Sequence, residues 1–217
     1  MARYEHLPLY KLHDLNQRKT TMFTNLKTLL MSFAVAAQTL NPAFAAPADV
    51  PETGQTTCSN AAGTTIACAG TGQDGELLAG VAVPIPRFVV GSGAQAQCVT
   101  DRLTGLMWVQ APDAPLTRIW VDALAQAEAL TLCGFSDWRL PNINELESLV
   151  NRGVSTTQAT ALNAAGFSGV QTADPYWSST SVAGNPVSAW FVDMRDGDVS
   201  ALDKGNAFFV WPVRAGQ

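Results

Sequence analysis

An α+β fold is the architecture this sequence predicts, and three observations lead to it. An apolar stripe at helical spacing runs through residues 120–130. A short helix with its own capping signal follows Pro141, and from Tyr176 onward come short β-rich runs separated by turn residues. Helices ahead of consecutive antiparallel strands is the α+β order, with the helices packed on antiparallel sheet and hairpins. No internal repeat competes with that reading.

Residues 1–45 stand apart from the pattern. Lys27 precedes an apolar run from Thr28 to Ala37, a polar segment comes next, and Ala43-Phe44-Ala45 places small residues where a signal peptidase reads them. The run is about ten residues, whereas a membrane span needs about twenty, so removal rather than anchoring is expected. Met1 to Thr21 is mixed polar sequence, and Met22-Phe23-Thr24-Asn25-Leu26-Lys27 is an ordinary signal-peptide start. Residues 1–45 are therefore expected to be an upstream extension plus signal peptide, with Met22 as the expected start. No integral membrane segment would remain, and the compartment would be the periplasm, the cell surface or the extracellular space.

Export changes the composition. The whole chain carries 13 Lys+Arg against 18 Asp+Glu, and residues 46–217 keep 8 of the former and 16 of the latter, a net charge of −8. Phosphate backbones demand clustered basic side chains, so nucleic acid is not an expected partner. Both histidines, His6 and His13, fall in the removed part. Their loss takes with it histidine-activated nucleophiles, histidine general bases and most zinc sites.

All four cysteines, Cys58, Cys68, Cys98 and Cys133, lie in the exported part, and an even number in an oxidising compartment predicts two disulfides. Of three pairings, Cys58–Cys68 would close a small Gly/Thr/Ala loop, and Cys98–Cys133 would tie a strand to the end of a helix. Residues 46–97, rich in Gly, Thr, Ala and Pro, read as a loop-rich leader ordered by its cysteine loop and by packing on the domain after it. Val81 to Val90 holds Pro84 and Pro86, so it predicts an edge strand at most.

Residues 98–217 carry the compact domain. Val99-Thr100 and Leu106 to Val109 flank a turn with Gly105, a hairpin signature. Trp120, Ala123, Leu124, Ala127 and Leu130 form one helical face, with Thr117 as its expected cap and an end before Gly134. Asn142 and Glu145 predict a capping box for the second helix, buried through Ile143, Leu146, Leu149 and Val150, with Gly153 as its C′ residue. Val154 to Asp174 reads as a surface excursion. Strands are expected at Tyr176–Thr180, Val187–Asp193, Val199–Leu202 and Ala207–Val213, with Asp196-Gly197 as a hairpin turn and Pro212 marking an edge or bulge.

Four stretches resemble a known family: Val99 to Trp108, Gly134 to Asn142 running into Glu145-Leu146-Glu147-Ser148-Leu149, Tyr176 to Thr180, and Val210 to Arg214. Together, in this order and spacing, they are similar to the Lcl C-terminal domain family, named after the C-terminal region of a collagen-like adhesin. Thr53 to Thr57 and Pro84 to Phe88 resemble its flanking sequence. The resemblance implies a C-type-lectin-like fold, an extracytoplasmic location and no established catalysis. In the collagen-like adhesin the domain is linked to glycosaminoglycan binding and trimerisation, so a homo-oligomer is one implied state. This chain has no collagen repeat and is acidic.

Several side chains could carry chemistry. Arg139 and Arg214 read as structural cations, Arg139 with its stem on Trp138 or paired with Glu145, Asp137 or another acid. Tyr176, Trp177 and Trp190 are candidates for stacking on sugar rings if their faces are exposed. Ser178, Ser179 and Thr180 have no activating base nearby in sequence. Asp193, Asp196 and Asp198, with Asp203 close by, are either a polar hairpin turn or a calcium site. Otherwise no metal, cofactor or catalytic residue is expected. The function expected is an exported, non-catalytic binding or adhesion module for carbohydrate or protein. The alternatives are a structural or assembly subunit of the cell surface, and a lectin-like-fold enzyme of the formylglycine-generating type. The last needs reactive cysteines late in the chain, and Cys133 is the final one.

Overall fold

The computed structural model of the protein describes residues 50–112 and 116–216. The signal-peptide and start-site expectations, on residues 1–45, lie outside them. In the leader, β1 (Cys58–Ser59) pairs with β2 (Thr65–Ile66), and α1 (Asp74–Leu77) comes next. Cys58 is bonded to Cys68 across this loop. The Glu76 carboxylate accepts from the backbone N–H groups of Gly70 and Gly72, and these bonds hold its carboxyl below the usual range. Cys58 is the only buried residue between 50 and 97, so the leader has no hydrophobic core of its own.

The leader ends in β3 (Phe88–Val90), which becomes the edge of the first main sheet. That sheet has the order β11 (Val213–Ala215), β5 (Leu106–Val109), β4 (Cys98–Asp101), β3, all antiparallel. The edge strand expected from the Val81–Val90 stretch is thus present as its last three residues, clear of both prolines. The β4–β5 hairpin turns at Gly105, whose φ of 73° needs a residue without a Cβ. The end of the chain returns to pair Val213 with Trp108, closing the domain on its own beginning. Cys98, at the start of β4, is bonded to Cys133.

The second sheet is a meander of β7 (Tyr176–Val182), β8 (Asn185–Asp193) and β9 (Asp198–Asp203), with Asp196-Gly197 in its second turn as expected. A small ribbon, β6 (Arg118–Ile119) with β10 (Ala207–Phe208), leads into α2 (Trp120–Glu128). The expected cap Thr117 is not used. Residues 118–119 pair as strand, so the helix starts directly after them with Ile119 at the N-cap and no side-chain cap. α3 (Ile143–Glu147) has the full capping box: the Glu145 N–H donates to Asn142 Oδ1 and the Asn142 N–H to Glu145 Oε2, both at 2.9 Å.

Gly153 is not the C′ residue of α3, whose C-cap is Ser148. It is small for another reason: the Gly54 carbonyl of the leader lies where its Cβ would be. The stretch expected as a surface excursion also differs. It contains α4 (Gln158–Ala164), capped by Thr157, and buries Ala159, Leu162, Phe167 and Val170. Its apolar residues are small or sparse, so periodicity alone gave little signal.

Two apolar clusters hold the domain. The larger joins Trp108, Trp138, Trp211, Tyr176, Leu146 and Leu162, drawing on the first sheet, α3 and α4. The smaller packs Ala123 and Ala127 of α2 onto Trp177, Ala189, Phe208 and Val210. Four tryptophans, Trp108, Trp138, Trp177 and Trp211, are among its largest fully buried side chains. Each removes roughly 150–250 Å² from water, on the order of 4–6 kcal/mol. Small alanines on α2 let the helix pack closely on Trp177 and Phe208. The described residues are thus an α+β arrangement of mostly antiparallel sheet with a few short helices. Among them no helix is long and apolar enough to cross a membrane.

Candidate functional site

The polar residues of the recognisable stretches are directed at one another. Asp101 is fully buried and accepts a two-pronged pair from Arg87, at 2.9 and 2.8 Å, while also accepting from Leu103 N–H and Thr104 Oγ1. Arg139 grips Glu145 through two bonds of 2.7 and 2.6 Å. Burial raises the Glu145 carboxyl, but the Arg139 guanidinium and the Asn142 N–H outweigh it and hold the group below its ordinary range. Arg214, 5 % exposed, pairs with Asp137 and lies 3.7 Å from the centre of the Phe135 ring. The structural roles expected for Arg139 and Arg214 match these contacts, with Glu145 as the partner of Arg139.

Two of the three sugar-stacking candidates have to be corrected. Tyr176 and Trp177 are fully buried. The Trp177 Nε1–H donates to the Arg118 carbonyl at 3.0 Å and its ring packs 4.4 Å from Phe208. The Tyr176 hydroxyl accepts from Gln171 N–H at 2.7 Å, and burial keeps it protonated well above its ordinary range. Rings enclosed on both faces cannot meet a sugar. Trp190, on β8, is half-buried.

The hydroxyls of β7 are also occupied. Ser178 Oγ donates to the Trp190 carbonyl, Ser179 Oγ to the Pro141 carbonyl, and Thr180 Oγ1 accepts from Ile143 N–H, which docks α3 on the sheet. Sequence reading missed that Lys204 reaches the neighbouring Ser181, 2.6 Å from its Oγ. A lysine beside a serine is a nucleophile-and-base arrangement only if the amine is neutral. Here the Nζ also donates to the Pro186 carbonyl at 2.9 Å and sits 4.0 Å from the centre of the Trp120 ring. Through these contacts the lysine acts as a clamp between β9, β8 and α2.

The acidic hairpin is satisfied locally. Asp193 pairs with Arg195 at 2.8 Å and accepts its N–H, Asp196 accepts the Asp198 N–H, and Asp203 accepts the Gly205 N–H. Among the described residues no group of three or more His, Cys, Asp or Glu side chains is gathered as metal ligands would be. The Asp193 and Asp196 carboxylates thus bond within the turn, and Asp198 takes part through its backbone N–H.

What remains open is a cavity of about 400 Å³ between the leader and the domain. The leader supplies Glu52, Val83, Arg87 and Phe88, and the domain supplies Leu149 and Leu162 among others. Two feet hold the leader over it. One is β3 in the sheet, with Phe88 edge-on to Phe167 at 5.0 Å. The other is Thr53, whose carbonyl accepts the Arg152 N–H at 2.8 Å, beside the Gly54–Gly153 contact. Gln158 lines the floor, its amide tied to both N–H and C=O of Asn151 at 2.9 and 3.0 Å. A second hollow, of about 330 Å³, is lined by Gln97, Gln110, Leu130 and Pro212 and, among the described residues, by no charged side chain. The residues of the larger cavity carried no sequence signal as a group. They are contributed from positions about a hundred residues apart in the chain.

Comparison with known proteins fits this division. Among curated proteins none matches the chain. A model of the Lcl C-terminal domain matches residues 97–214, more than half of the chain, and leaves the leader outside. The matched span begins one residue before β4 and ends in β11, the two elements that flank β5 in the four-stranded sheet. The chain belongs to the Lcl C-terminal domain family.

Proposed function

We propose that the protein is an exported, surface-associated binding module without catalytic activity, of C-type-lectin-like architecture, and that its ligand is a protein. The carrying observation is the fate of the polar residues in the four recognisable stretches. Asp101, Asp137, Arg139, Glu145 and Arg214 all bond within the fold, and Lys204 is engaged by Ser181, the Pro186 carbonyl and the Trp120 ring. Polar groups engaged in this way make a rigid frame, which supports a binding role over a catalytic one. Two disulfides and a surface-associated family support export. The enclosure of Tyr176 and Trp177 favours a protein over a carbohydrate ligand, since only Trp190 of the three rings keeps an accessible part.

An array carrying both glycans and peptides, probed with the purified protein, tests this reading. Selective capture of peptides is the expected result. Capture of glycans alone, weakened by Trp190→Ala, would move the ligand to carbohydrate. No capture on either surface, together with a stable trimer or larger assembly by light scattering, would replace the binding module with an assembly subunit.

A further inference from the structure

We propose that the cavity under the leader is a binding site for an alkylammonium group, a primary amine on an apolar stem such as a lysine side chain of the partner. The inference deepens the protein-binding reading above and rests on it. Four observations lead there.

The first is volume. About 400 Å³ falls within the range of small-ligand sites and exceeds what a lysine side chain needs. The second is the wall: Val83, Phe88, Leu149 and Leu162 give an apolar lining along which a methylene stem loses its water contact.

The third is the local charge. Among the described residues two ionisable side chains line the cavity, Glu52 and Arg87. Arg87 is cancelled by Asp101 behind it, with Nε and Nη2 engaged by that carboxylate and by the Ser148 carbonyl at 2.7 Å. Glu52 is half-buried, and its carboxylate makes no hydrogen bond or ion pair among the described residues. Among the described residues the cavity is thus left with one negative charge without a partner, beside an apolar wall. A cation with an apolar stem answers both features, and an anion answers neither.

The fourth is the field of the molecule. Residues 46–217 hold 16 acidic side chains against 8 basic ones, so cations are drawn towards the surface and anions turned away. The cavity spans the boundary of the family match at residue 97. The family domain supplies the floor, and this chain's own leader supplies the carboxylate, so selectivity lies in residues 50–88.

The test titrates the purified protein with hexylamine, hexanol, hexanoate and N-acetyl-lysine methylamide, following the methyl NMR signals of Val83, Leu149 and Leu162. Hexylamine is expected to shift all three. Hexanol and hexanoate should bind about tenfold more weakly or worse, as a charge-assisted hydrogen bond is worth that much. Glu52→Gln, at a half-buried position that leaves the fold intact, should weaken hexylamine by about tenfold or more without changing hexanol. Ala161→Phe, which fills the cavity from α4, should abolish every shift. Binding of the lysine amide alongside hexylamine identifies a partner's lysine as the source, and binding of hexylamine alone identifies a free amine. Equal binding of hexanol and hexylamine, or no effect of Glu52→Gln, would overturn the proposal. So would the absence of any shift. A peptide captured equally by the wild type and Ala161→Phe would leave the binding module standing on another surface and remove this cavity as its site.

Discussion

The leader and the family domain are both rich in turns, yet they are ordered by different forces. In the domain, Trp108, Trp138, Trp177 and Trp211 are fully buried, and β4, β5 and β11 bring distant parts of the chain together around them. Among the described residues of the leader only Cys58 is buried, and large apolar residues such as Leu77 and Ile85 stay exposed. The domain is held by apolar burial. The leader is held by a disulfide, local hydrogen bonds and two points of attachment. Segments that cannot bury a core of their own can still be ordered by a neighbour that has one.

That contrast can be broken most directly at the shared ion pair. Arg87→Ala leaves Asp101 as a fully buried charge without its partner, and chemical denaturation should show a loss of about 3–5 kcal/mol. A loss below about 1 kcal/mol would mean that the leader is only appended to the domain. Next in size, Cys58→Ser combined with Cys68→Ser removes the cross-link of a ten-residue separation and should cost about 2–3 kcal/mol. Hydrogen exchange should confine that loss to residues 55–80. Fast exchange spreading into β4 and β5 would show that the two regions unfold as one.

A smaller effect separates core burial from polar fixation within the domain. Glu145→Gln keeps one half of the capping box and weakens the Arg139 pair, with an expected loss of about 1 kcal/mol. Because the folded carboxyl is held below its ordinary value of 4.5, its contribution is fully present above that value. It is lost as the pH falls through the folded value. Thermal melts of the wild type should therefore drop more steeply than those of the variant as the pH falls below about 4.5. Parallel curves would remove the Arg139–Glu145 pair as a source of acid sensitivity.

Much of the domain was legible because its signals are local. The Asn142–Glu145 box, the Gly105 and Asp196-Gly197 turns and the alanine-rich face of α2 each lie within a few residues of chain. α4 escaped notice because two of its three buried residues are Gln158 and Ala159, neither of which marks an apolar stripe. Thr117 looked like a cap until β10, some ninety residues later, paired with the two residues after it. Tyr176 and Trp177 looked equally suited to a core or a sugar site, since an aromatic ring announces area and not exposure.

By itself the sequence determined the α+β class, the family stretches and an even set of four cysteines for two disulfides. Each depends on residue type, order and spacing along the chain. Which cysteines pair and which acid Arg139 grips came from the fold. Only the tertiary structure decided that Arg87 of the leader neutralises Asp101, that Lys204 stands between Ser181 and Trp120, and that Glu52 faces a cavity floored by α4. Those placements depend on how separate segments pack. Burial and the distance between charges then set what each group can do.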